Sequence, residues 1–195
     1  MNDPLVPDGD GHTALSEDDR RGLLLTYVVT REDLFDAEQR NISQALLRRR
    51  PTVDRLLDDH YLRRLHRDMF GQVWSWAGRY RLRETNLGIE PREIPMAVRS
   101  LVGDCRSWLE RSSYPPDEAA ARFHHRLFAI HPFPNGNGRH GRVAADQLIA
   151  ALGHPPFTWG RSLPVATAEL RGSYRHALVA ADDGDIAPLL EFARR

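Results

Sequence analysis

The chain has 195 residues with 27 basic and 27 acidic side chains, and a formal net charge of zero argues against a broad electrostatic grip on nucleic acid. All of the basic residues are arginine, which excludes a Walker-type phosphate loop and Schiff-base or pyridoxal chemistry, since both need a lysine amine. The single cysteine, Cys105, excludes a disulfide framework, and no apolar run approaches the roughly 18 residues of a membrane span.

The first 16 residues are rich in Pro, Gly and Asp and read as a lead-in arm. They lack the basic-then-apolar layout of a secretory signal, so the expected compartment is the cytoplasm. Thr30 can cap a helix that takes Glu32 and Asp33 in its first turn and runs to about residue 49, before Pro51. A second helix is expected over residues 53–73, with Leu56, Leu57, Leu62, Leu65 and Phe70 as its apolar members. Residues 78–94 alternate weakly around Asn86 and Gly88, which predicts a short hairpin flap. After Pro95, Ala97, Leu101, Cys105 and Leu109 recur four apart, a helical stripe that makes Cys105 a core thiol. Pro115 and Pro116 open a fourth helix with Ala120, Phe123, Leu127 and Ile130 inward. A fifth is expected over 138–152, ending at Gly153, and two more near 166–180 and 186–194. The expected fold class is all-α: a helical bundle carrying one short β-hairpin.

The chemistry concentrates in HPFPNGNGRHGR, residues 131–142, between two strongly patterned helices. Two glycines around Asn137 at a helix start offer successive backbone N–H groups and the positive end of a helix dipole, together an anion hole. Arg139 and Arg142, three residues apart, are expected to emerge on one face, where guanidinium forks match phosphate oxygens. His131 is the residue here able to act as a base near neutral pH. A polyphosphate cradle with a histidine above it suits phosphoryl or nucleotidyl transfer. His124 and His125, adjacent on a helix, cannot face one ion together, so no zinc site is expected.

His131, Phe133, Gly136, Asn137, Gly138, Arg139 and Arg142 resemble the Fic family signature H-x-F-x-[D/E]-G-N-G-R-x-x-R at seven positions. VWSWAGRYR (73–81) resembles the segment that precedes the family's flap, and NLGIEPREIP its hairpin region. With EQRNI at 38–42, the pattern is similar to the bacterial subfamily called mobile mystery protein B, whose members are encoded beside a small helix-turn-helix protein.

The resemblance implies a Fic-type bundle over residues 53–195, preceded by an arm and helical extension over 1–52. It implies an enzyme that transfers AMP from ATP to a Ser, Thr or Tyr hydroxyl of a target protein. His131 would be the general base; Gly136, Asn137 and Gly138 would hold the α- and β-phosphates. Arg139 would steady the β/γ-phosphates, Arg142 would bind the γ-phosphate, and Phe133 would anchor the loop. Gly138 favours AMP transfer, because the phosphorylating Doc branch has Lys there. Asn135 replaces the family's acid and implies a weakened Mg²⁺ ligand. Thr85, Asn86, Leu87, Gly88, Ile89 and Glu90 would form the flap and bind the target by strand addition. Glu38, in the candidate inhibitory helix 31–49, matches the family's [S/T]-x-x-x-E-[G/N] motif in part and is expected to reach Arg142; Thr13 with Glu17-Asp18 is a weaker rival. Two alternatives stand beside AMP transfer: a related phosphotransferase or nucleotidyl transferase, and a silent nucleotide-binding module of a toxin–antitoxin-like pair. The neighbouring helix-turn-helix protein is a candidate partner; no membrane or direct nucleic-acid contact is expected.

Overall fold

A computed structural model of the chain describes residues 16–161 and 167–195. The lead-in arm and Thr13 lie almost wholly outside the described residues, as does the expected helix start near residue 166. The described residues form nine α-helices: α1 (Glu17–Arg20), α2 (Arg31–Leu46), α3 (Val53–Leu56), α4 (Asp59–Phe70), α5 (Ile94–Glu110), α6 (Pro116–Ile130), α7 (Asn137–Ala151), α8 (Thr167–Asp182) and α9 (Ala187–Arg194). None is long and apolar enough to cross a membrane.

Local chemistry explains where the helices begin. Thr30 accepts the Asp33 N–H while the Asp33 carboxylate accepts the Thr30 N–H, a reciprocal cap that starts α2. Asp58 caps α4 by accepting the Tyr61 N–H at 2.9 Å, and this cap splits the single helix expected over 53–73 into α3 and α4. Leu56 and Leu57 stay buried across the break.

The core is made where α4, α5, α6 and α7 meet. Leu62, Met69 and Phe70 face Leu101, Phe123, Leu127 and Leu148, all essentially without exposed surface. Burying side chains of this size stabilises the bundle by about 1.5–3 kcal/mol each. Cys105 lies in the same layer, fully buried, and burial pushes its thiol up to about 12, so it remains an unreactive packing group. On α5 the inward stripe is Ile94, Val98, Leu101, Val102 and Cys105, with Ala97 and Leu109 only partly buried at its margin.

The hairpin expected over residues 78–94 is not formed. Among the described residues the only ladder pairing is an isolated antiparallel bridge between Leu23 and Trp74, and residues 82–90 run through bends and irregular backbone. One buried side chain explains the loop's shape. Arg81 Nε donates to the His131 carbonyl at 2.7 Å, while its terminal nitrogens donate to the carbonyls of Arg83 (2.9 Å) and Ile89. Backbone bonds from Arg81 N–H to Pro132 and from Ile89 N–H to Ile130 tie both ends of the loop to the end of α6. The guanidinium takes the carbonyls that a second strand would otherwise satisfy.

Candidate active site

α6 and α7 pack along each other and are joined by residues 131–136. The join turns twice through left-handed backbone, at His131 (φ +52°) and at Gly136 (φ +79°). At Gly136 a Cβ would lie 2.7 Å from the Phe70 ring, so glycine is required by conformation and space together. Asn137 braces the loop: its Oδ1 accepts the Phe133 N–H at 2.9 Å and its Nδ2 donates to the Phe133 carbonyl at 2.8 Å. Phe133 is buried as the expected anchor.

A residue that sequence reasoning missed completes the brace. His66 of α4, fully buried, stacks on Phe133 with ring centres 3.8 Å apart. Its Nδ1 accepts the Gly78 N–H at 3.0 Å, so Nε2 carries the proton and donates to the Asn135 carbonyl, also at 3.0 Å. Burial drives its pKa well below the usual histidine value and keeps it neutral for this bridging role. The only available signal was a lone histidine among the apolar positions of α4, which reads equally well as packing.

The His140 N–H makes the first bond of α7, to the Gly136 carbonyl. The N–H groups of Asn137, Gly138 and Arg139 therefore have no partner within the helix. The Gly136 N–H, expected among these donors, instead bonds the Asn135 side-chain oxygen at 2.6 Å.

The two arginines flank this end from different sides. Arg142 leans back toward the helix start, its guanidinium 3.8 Å from where a Gly138 Cβ would sit, and lies over the Tyr174 ring of α8. Arg139 lies 4.9 Å from the centre of the Phe70 ring and forms a 2.6 Å ion pair with Glu38 of α2. The expectation that Glu38 reaches Arg142 is thus corrected to Arg139. Glu38 is buried, and its other oxygen accepts the Trp74 indole N–H at 2.7 Å. Set only about 60° apart around α7, the two arginines nevertheless go to separate partners, Arg139 to Glu38 and Arg142 to the Tyr174 ring.

His131 sits beside the same turn, only 3% exposed. Its Nδ1 donates to the Phe128 carbonyl at 3.3 Å, which leaves the lone pair on Nε2. Burial, with a further contribution from the Arg81 charge, lowers its pKa to about 4, so the ring is neutral near pH 7. The loop covers it: a Cβ on Gly88 (φ +99°) would lie 2.5 Å from the His131 Cβ. Of the six flap positions, Thr85, Leu87 and Ile89 are half-buried, while Asn86, Gly88 and Glu90 face solvent. Thr85 donates to the Leu87 carbonyl at 2.6 Å, and Glu90 pairs with Arg92. With no strand here, the proposed edge for strand addition is absent in this conformation.

Asn135 is the loop's candidate metal ligand. Its side-chain oxygen is neutral and already accepts one N–H, and among the described residues no three His, Cys, Asp or Glu side chains gather to hold an ion. The chain alone supplies a poor hard-cation site.

The bundle's inter-helix turn sets a helix start without a side-chain cap beside a neutral histidine, and residues 56–149 match the Fic/DOC family. The chain thus carries a Fic/DOC family domain. It is 32% identical over 132 residues to the protein adenylyltransferase Fic of Drosophila virilis, covering 66% of this chain and 26% of that protein; the Drosophila willistoni protein gives the same identity. The chain spans about a quarter of the length of these curated relatives. Its fold is similar to that of BepC from Bartonella tribocorum with bound AMPPNP (TM-score 0.67, 16% identity, 92% of this chain and 97% of that one). It is also similar to Fic-1 (residues 134–508) from C. elegans (TM-score 0.62, 24% identity, 89% and 51%).

Proposed function

We propose that this protein is a protein adenylyltransferase that moves AMP from ATP to a Ser, Thr or Tyr hydroxyl of a target protein. The observation that carries the reading is the unpaired N-terminus of α7, flanked by Arg139 and Arg142 and adjoining a neutral His131. The amides of Asn137, Gly138 and Arg139 would receive the phosphates, and Arg142 the terminal one. His131 Nε2 would take the hydroxyl proton as the hydroxyl oxygen bonds to the α-phosphorus. The bond to the bridging oxygen of the β-phosphate breaks, and pyrophosphate leaves with its charge met by fixed donors.

Mg²⁺, which neutralises phosphate charge when bound, would be held mainly by the nucleotide, with Asn135 as a neutral ligand from the chain. Glu38 is read as an inhibitory carboxylate, because its charge occupies the arginine that a phosphate would need. Since His131 is nearly covered, the flap from Thr85 to Glu90 must shift for a target hydroxyl to reach it. Residues 1–52 then act as the regulatory extension and 53–195 as the catalytic body. Cytoplasmic location, kinship with mobile mystery protein B and pairing with a neighbouring helix-turn-helix protein complete the proposal.

A second reading, transfer of phosphate instead of AMP, is kept open by the neutral Asn135. Incubation with ATP labelled at the α- or the γ-phosphate separates the two. Label from the α position on protein, lost in His131→Ala, supports AMP transfer. Label from the γ position supports the phosphotransferase, and neither label points to the silent binding module.

A further inference from the structure

Tyr174 of α8 lies outside residues 56–149 that match the family, yet it is the surface on which Arg142 rests. The guanidinium carbon is 5.2 Å from the ring centre. Burial lifts the Tyr174 hydroxyl to about 12, while the charge and hydrogen bonding of Arg142 pull in the opposite direction. Behind the ring, that hydroxyl is bonded at 2.8 Å to Nε2 of His124, a fully buried residue of α6.

The Tyr174 hydroxyl and His124 Nε2 share one hydrogen bond at 2.8 Å, which fixes the ring from the side away from the solvent while the Arg142 guanidinium lies over its face. Burial holds the His124 pKa down at about 3, so the ring is neutral. Its other nitrogen packs against Gly141, where a Cβ would lie only 2.9 Å away. Phe128 and Phe192 enclose the Tyr174 ring at 6.2 and 5.4 Å between centres. Phe128 also edges against His131 and against the Gly138 turn.

We propose that Tyr174, fixed from behind by His124, is a positioning residue that holds the Arg142 guanidinium toward the start of α7 for the terminal phosphate of the nucleotide. The inference rests on reading Arg142 as a phosphate ligand. An arginine free in solvent loses rotamer freedom when it binds phosphate, whereas one already laid on a ring has lost it beforehand. The α8–α9 pair thereby contributes to nucleotide recognition as well as covering the core.

The test is calorimetric titration of ATP, and separately of AMP, into the full chain and its variants. Tyr174→Leu should weaken ATP roughly tenfold, the scale of a partly desolvated cation–π contact, and leave AMP within about twofold. Tyr174→Phe, which keeps the ring, should lose roughly threefold for ATP. Should Tyr174→Leu fail to fold by thermal melting, Tyr174→Phe and His124→Gln carry the comparison, each expected to lower ATP affinity selectively. Unchanged ATP affinity, or equal losses for ATP and AMP, would overturn the proposal. Arg142→Ala separates the two claims. If it alone removes the preference for ATP, the positioning role falls and the phosphate reading stands. If it too keeps that preference, or the unaltered chain binds neither nucleotide, both fall.

Discussion

Glu38 and Arg139, on α2 and α7, pair at 2.6 Å, and the second oxygen of the same carboxylate holds the buried Trp74 indole. Two substitutions separate these roles. Glu38→Gln retains an acceptor for Trp74 and removes the charge beside the phosphate cradle. It should raise AMP transfer roughly tenfold, the factor that a charged hydrogen bond of about 1.5 kcal/mol commands. Glu38→Ala should also release Arg139 but leave the indole N–H buried and unpaired, costing about 1–3 kcal/mol of stability. Labelling with α-labelled ATP and thermal melting read the two effects; equal transfer by all three forms would sink the inhibitory reading.

Gly136 and Gly138 should respond differently to alanine. Gly136→Ala forces a side chain into left-handed backbone against Phe70 and should destabilise the fold by about 1–3 kcal/mol. At Gly138, inside the first turn of α7, the nearest atom to a new Cβ is 3.7 Å away. Gly138→Ala should leave the melting temperature unchanged or slightly raised, since alanine favours helix by up to about 1 kcal/mol. Its methyl group would stand where phosphate enters, so ATP affinity should fall while stability does not. Parallel loss of both would place Gly138 in the scaffold instead.

Asn135→Asp should preserve the bond to the Gly136 N–H, because a carboxylate also accepts. It adds the charge that a hard cation prefers. Transfer by the variant should therefore saturate at lower Mg²⁺ concentration or proceed faster than in the unaltered chain. Identical metal dependence and identical rate would show that the chain takes no part in holding the ion.

Acid should unfold this protein early. Burial is the leading cause of the lowered pKa values of His66, His124, His131 and His140, with His131 and His140 down to about 4 and His124 to about 3. Between those values and about 6.5 the unfolded chain binds more protons than the folded one, so stability falls as pH drops through this window. Asp146, raised by burial to about 6, acts in the opposite sense, one group against four. The melting temperature should decline from pH 7 to pH 5. Replacing His140, whose Nδ1 has no hydrogen-bond partner, by Leu should flatten that slope; an unchanged slope would contradict the assignment.

The helices were legible because their apolar residues recur at helical spacing and because Thr30 and the paired prolines mark their starts. The motif loop was legible because its glycines and arginines are closely spaced. What escaped was decided by single side-chain contacts, one local and the others long-range. The break before α4 turned on the Asp58 cap, outweighed in sequence by a continuous apolar pattern. The missing hairpin turned on where the Arg81 guanidinium goes, and the partner of Glu38 on the direction Arg139 takes from α7. His66 offered only a histidine at an apolar position, since its two bonds run to backbone atoms 12 and 69 residues away.

Arg81 fastens the flap through main-chain oxygens at the loop's two ends and at the close of α6. Such a latch is indifferent to which side chains the loop carries between its anchor points. Residues 82–87 can therefore be exchanged while the scaffold keeps its shape, with Gly88 held to glycine by its left-handed backbone and its approach to His131. On the proposed reading of the flap as the target-binding segment, choice of client can diverge rapidly in evolution, or be re-engineered, without touching the machinery beneath.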